Sequence, residues 1–271
     1  LENGQIIIKD FDSLKLIKKI KLPQIEDFMG DKIAMPIYSI DILNDRILIL
    51  GQGNDAERKV FIYNIKNGNL KDILTSSQTY MNAHFIDKDR ILFALLSDEL
   101  SLYDLKNRKT IYTKQVGQYV FSTIALNSSR DMAIIGDESG SLKLLKTATG
   151  EKLKQFNKFN KDQTISVAFN NNLVMNGSSD KRVSLIDIEN GRYLLQIQVK
   201  FLPYGTAISP NGKFVAVQYN EKNDIAIFNI NGKLIEIIKG QTMPLNGMKF
   251  INNRKLLSFS ADKIMINKIK E

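Results

Sequence analysis

His84 is the only histidine in the chain, and so the only side chain whose ordinary pKa lies near neutrality. It lies in the run "TYMNAHFID", and Asp41 precedes it by 43 residues in a similar apolar setting. An Asp–His pair can orient a general base or carry a proton. The other groups that such chemistry requires are missing from the sequence. No cysteine is present, which excludes thiolate nucleophiles, disulfides and cysteine metal sites. Carboxylates and amides with one imidazole make a poor zinc or copper set. No glycine-rich phosphate loop opens a helix and no nucleophile elbow occurs. "GQGND" at 51–55 falls between two strand-like runs and is read as a turn without a helix. The Asp41–His84 pair is therefore expected to be structural, and no catalytic, cofactor or metal residue is assigned.

The elements that would hold these residues recur with a fixed period. Short apolar segments end at Ile42, Phe85, Leu126, Phe169, Ile208 and Phe250, spaced 39 to 43 residues apart. Each is followed by a polar turn, among them "NDR", "DKDR", "NSSRD" and "SPNGK", whose Asn, Asp, Ser and Gly tolerate tight-turn dihedrals. A second apolar run follows each turn, such as "ILILG" or "ILFAL". A third alternates with period two, such as "KVFIYNI" or "RVSLIDI". Most of these third runs meet "KNG", "ATG", "ENG" or "NING" and then a fourth apolar stretch. Asn-Gly there suits a two-residue hairpin turn with positive φ. Four strands per repeat of about 42 residues is the pattern of a β-propeller blade, whose two apolar faces must be covered by its neighbours.

"GSSDKRVSLIDIENG" (177–191) resembles the second half of a WD40 repeat, and the resemblance covers nearly the whole chain. It is degenerate, for the chain has no Trp. The usual Trp-Asp pair is replaced by Tyr63-Asn64, Tyr103-Asp104, Ile186-Asp187 and Phe228-Asn229, and is lost at Leu145-Lys146. The opening Gly-His is missing, so the family's Asp-His-Ser-Trp network cannot be complete. Rigidity is expected to come mainly from apolar packing and the main-chain ladder. The expected fold class is all-β, a propeller of four-stranded blades forming a single domain over 1–271. Residues 1–22 align as the third and fourth strands of a first blade, and residues 244–269 supply three strands of a last one. Seven blades are the simplest count, with the first two strands upstream of Leu1. The alternative is six, closed by residues 15–22 and leaving "GQIIIKD" spare.

Some propellers are hydrolases with a ring of metal-binding side chains on the axis. Here Asp41, His84 and Lys249 share one inner register with Ala125, Ala168 and Ala207, and three alanines argue against an axial metal. Small or short residues (Ser39, Asn82, Thr123, Ser166, Gly205, Gly247) stand three places before the repeat anchors, as converging inner strands require. The segments entering those strands are richer. Met35, Tyr38, Tyr80, Tyr119, Phe121, Tyr204 and Met243 are expected to gather near one mouth of the channel, where aromatic and Met side chains make interface hot spots. The long loop "PQIEDFMGDKIAMP" (23–36) adds Phe28 and Met29 and is the first choice for a partner contact.

The net charge is +9, carried mostly by lysines spread along strands and turns. Its densest cluster, "LKLIKKIKL" (14–22), reads as a guarded edge strand. A nucleic-acid or acidic-surface binder is the rival reading, with strong salt dependence as its mark. It lacks a basic and aromatic stripe at any fixed repeat offset. The favoured reading is a non-catalytic, monomeric, protein-binding propeller without cofactor or membrane span. In overall style the chain also resembles the periplasmic WD40-like accessory proteins encoded with some periplasmic nitrate reductases. That likeness implies a bacterial extracytoplasmic factor whose partner is a redox enzyme or its maturation machinery, with the cytoplasm as the alternative compartment. The chain opens in mid-repeat at Leu1, so a processed or omitted segment is expected ahead of it.

Overall fold

The computed structural model describes residues 4–157 and 160–270. The outermost residues of the expected 1–271 domain, Leu1–Asn3 and Glu271, lie outside them. The chain forms two compact units, Leu1–Gln115 and Val116–Glu271.

In the first unit β1 (Gln5–Lys9) pairs with β2 (Leu16–Lys21), and β3 (Gln24–Glu26) with β4 (Lys32–Ala34). β5 (Ile37–Leu43), β6 (Arg46–Gln52), β7 (Arg58–Asn64) and β8 (Leu70–Ser76) form an antiparallel sheet in chain order. β9 (Tyr80–Phe85), β10 (Arg90–Leu95), β11 (Glu99–Asp104) and β12 (Lys109–Gln115) form another. The second unit repeats the motif. Its sheets are β13 (Phe121–Leu126), β14 (Met132–Asp137), β15 (Leu142–Lys146), β16 (Lys152–Phe156), then β17 (Thr164–Asn170), β18 (Leu173–Ser178), β19 (Arg182–Asp187), β20 (Arg192–Gln198). A further sheet holds β21 (Thr206–Ile208), β22 (Phe214–Gln218), β23 (Ile225–Asn229), β24 (Leu234–Ile238), and the last holds only β25 (Leu245–Asn252), β26 (Lys255–Ser260), β27 (Ile264–Lys268). Five four-stranded sheets, the three-stranded last sheet and the β1–β2 pair fit the seven-blade count, with the β3–β4 pair as an insertion. The six-blade alternative fails on β1, which is not spare but pairs along its length with β2.

The second and third strands of each complete sheet are buried on both faces, which is why they read as near-continuous apolar runs. Leu48, Leu50, Val60 and Ile62 of one sheet pack against Phe85, Ile91, Phe93 and Tyr103 of the next. The same interleaving joins Ile134, Leu142 and Leu144 to Val174 and Ile186. The turn after each third strand is longer than expected, four or five residues rather than two. The residue at the Trp-Asp position explains the difference. Asn64 Oδ1 accepts from the N–H of Lys66 and Asn67 (3.0 and 3.2 Å), and Asp104 and Asp187 cap their own turns likewise. Gly68 and Gly191 then take φ of 73° and 66°, the left-handed conformation the Asn-Gly pattern predicts.

Side chains supplement the apolar packing more than the sequence suggested. Asn160 Nδ2 donates to the Asn176 carbonyl (3.3 Å) while its Oδ1 accepts from Ser184 Oγ (3.0 Å). Gln241 donates to Ser258 Oγ and accepts from Ser260 Oγ, both at 2.9 Å. Amides in the segments entering a sheet thus tie down its second strand, and at Asn160 the third as well, partly replacing the missing network.

Candidate protein-interaction surface

The first strands of successive sheets lie side by side within each unit, β5 beside β9, and β13, β17, β21 and β25 in turn. Asp41, His84, Ala125, Ala168, Ala207 and Lys249 each face the second strand at the same register, opposite Leu48, Leu92, Ile134, Met175, Ala216 and Leu257. His84 Nδ1 is 3.9 Å from Asp41 Oδ1, too far for a hydrogen bond. Asp41 Oδ2 instead accepts the Phe85 N–H at 2.8 Å, and Ser39 Oγ accepts the Ala83 N–H at 3.0 Å. These short side chains satisfy the backbone donors on the neighbouring first strand. His84 Nε2 is buried with no hydrogen-bond partner among the described residues. Among the described residues no group of three or more His, Asp or Glu is placed to hold a metal. "GQGND", read as a turn without a helix, leads into one turn of 3-10 helix, Asn54–Ala56.

The segment 23–36 is a hairpin, not an open loop. Its base is anchored by Ile25 in a core shared with Ile6, Ile20, Leu22 and Phe61, and by Ile33 packed against that core. Asp27 Oδ1 closes its turn by accepting from the N–H of Met29 (2.9 Å) and Asp31 (3.0 Å), and Asn54 Oδ1 accepts the Glu26 N–H. Phe28 and Met29 stand at the tip, 91% and 75% exposed. The closed turn fixes the backbone that carries these two exposed apolar side chains.

The strand entries divide the remaining candidates by register. A bulge recurs at the start of the first strands, between Ile37 and Ser39, Phe121 and Thr123, Thr164 and Ser166, and Leu245 and Gly247. It turns one residue out of the pleat. Five places before the anchors, Tyr80, Phe121, Thr164, Pro203 and Leu245 are buried and Ile37 is half-buried. Four places before them, Tyr38, Tyr204 and Asn246 are exposed and Met81, Ser122 and Ile165 half-buried. Tyr80 and Phe121, expected at the surface, are therefore interior: Tyr80 stacks on Phe93 with ring centroids 4.2 Å apart. Met35 is likewise wholly buried, its sulfur filling the space a side chain at Gly51 would need. These three are not at the surface, whereas Tyr38, Tyr119, Tyr204 and Met243 are exposed.

The exposed rings are held in place. Tyr38 lies over the Arg58 guanidinium at 4.2 Å, and its hydroxyl donates to Gln52 Oε1 at 3.2 Å. Arg58 is fixed in turn by donating to the carbonyls of Tyr80 (2.9 Å) and Ala56 (2.7 Å). Tyr204 meets Phe201 edge-on at 6.3 Å. The sequence reading missed Arg58 as a support and Met81 and Val120 as outward neighbours. Alignment on the repeat anchors would have found Met81, because it shares the register of Tyr38 and Tyr204.

No protein-family model and no curated protein matches the chain. Among solved structures it is similar to the β-propeller domain of Cps50 (Swd1) from Myceliophteria thermophila, with a TM-score of 0.75 over 99% of this chain and 92% of that one at 14% identity. The likeness shows the fold, a β-propeller.

Proposed function

We propose that this propeller is a non-catalytic protein-interaction scaffold, one domain over 1–271. The observation that carries the reading is the set of large apolar side chains held outward by closed turns and bulges: Phe28 and Met29 on the hairpin, Tyr38 and Tyr204 at the shared outward register. Aromatic and Met side chains carried on an ordered backbone bind at a lower entropic cost than those on a flexible loop. The partner of this reading is a periplasmic redox enzyme or its maturation factor, and the chain a monomeric bacterial accessory protein of the kind encoded with periplasmic nitrate reductases. Its cysteine-free composition suits an oxidising compartment. Fractionation of cells carrying the tagged native gene checks this, with recovery in the periplasmic fraction expected and in the cytoplasmic fraction contrary.

The interaction itself is tested by capture from native extract on immobilised protein. The expected result is a stoichiometric protein that survives a high-salt wash and is lost from the Phe28→Ala/Met29→Ala/Tyr204→Ala variant. Recovery of mainly nucleic acid that leaves with salt would mean that the net charge, not the apolar surface, does the binding.

A further inference from the structure

The opposite ends of the same strands in the first unit enclose a groove of about 470 Å³, within the range of ligand pockets. It runs between the sheets β5–β8 and β9–β12. Its rim carries Arg46 at the start of β6, Lys71 on β8, Lys88 in the β9–β10 turn, and Lys106 and Arg108 in the β11–β12 turn. Two acids, Asp72 and Asp89, share the rim, and Ile62, Ile73 and Leu105 form an aliphatic floor.

The arginines are fixed across the two sheets. Arg46 Nη2 donates to the Lys88 carbonyl at 2.8 Å and its guanidinium lies over the Phe85 ring at 4.8 Å. Arg108 Nη2 donates to the Ile73 carbonyl at 3.3 Å. The two acids offset the five rim cations only in part. Asp72 lies 4.0 Å from Lys59, which is not in the groove, and Asp89 lies 3.9 Å from Lys88. Lys71 and Lys106 make no ion pair among the described residues. A concave surface with several cations concentrates anionic ligands.

We propose that this groove binds an extended acidic segment of a partner protein, its carboxylates on the basic rim and an aliphatic side chain on the floor. The floor selects this occupant. A free phosphate would leave it unused, and the lining holds no aromatic ring on which a nucleobase could stack. The inference deepens the scaffold reading by adding a second surface with a stated ligand class. Its test uses no captured partner, so the two readings fail separately.

The test is fluorescence anisotropy of a labelled synthetic peptide alternating glutamate and leucine, titrated with the full chain. Saturable binding is expected, weakened about tenfold by Lys71→Gln/Lys106→Gln. Both lysines are exposed, so the variant should keep the wild-type circular dichroism melt. Lys222→Gln/Lys233→Gln makes the same charge change on exposed residues of the second unit and should leave binding unaltered. Absence of saturable binding overturns the proposal, as does equal weakening in both variants, which would mean diffuse attraction. Displacement of the peptide by inorganic phosphate or an oligonucleotide more readily than by unlabelled peptide overturns it too.

Discussion

Asp137→Asn is expected to lower the unfolding free energy by about 3–5 kcal/mol, because it leaves a buried ammonium without its carboxylate. Lys143 and Asp137 are 2% and 0% exposed and form an ion pair between adjacent strands β14 and β15. The carboxylate also accepts from the N–H and hydroxyl of Ser139, at 2.9 and 2.6 Å. The near-isosteric amide can keep the Ser139 bonds on Oδ1, but it removes the charge and replaces the oxygen facing Lys143 with an N–H donor. Urea melts should show a lower midpoint at unchanged slope. Adding Lys143→Met to Asp137→Asn should recover most of the loss, since the stranded charge is then gone. A single variant within about 1 kcal/mol of wild type would contradict the pair's burial.

Phe93→Ala should cost a comparable amount, about 3–5 kcal/mol. Phe93 is fully buried between two sheets, stacked on Tyr80 and edge-on to Tyr103 at 6.5 Å. Its loss leaves a cavity that the flanking backbone ladders cannot close, and it removes the ring that holds Tyr80 inside. Tyr119→Ala, at a ring 58% exposed, should change stability by no more than about 0.5 kcal/mol. Comparable losses in the two variants would contradict the division of strand-entry aromatics into interior and exposed sets.

That division shows how far the sequence could be read. The anchors from Ile42 to Phe250 give the strands, their order and the cross-strand register, because period and alternation report burial directly. The same anchors separate Tyr38 and Tyr204 from Tyr80 and Phe121 by one residue of register. Pooling the four as aromatics near a loop lost that distinction, and the bulge behind it leaves no local composition signal. Lys143 in "SLKLLKT" looks like another solvated lysine. On a strand buried on both faces, alternation does not say which residues see water, and its partner Asp137 lies on the preceding strand. The hairpin 24–34 was hidden for a different reason. Strands of three residues are too short to show a period, and their stability comes from Ile25 and Ile33 docking on a core assembled from distant segments. The basic groove was equally invisible, since its residues come from four turns and strand ends spread over residues 46–108.

The most direct test of the interaction reading is calorimetric titration of the captured partner, once purified, into the wild type, Phe28→Ala/Met29→Ala and Tyr38→Ala/Tyr204→Ala chains at low and high salt. Each double variant should bind at least about tenfold more weakly than wild type, with affinity changing little between the two salts. Unchanged affinity in both variants, together with a steep loss in high salt, would contradict it and assign the binding to charge.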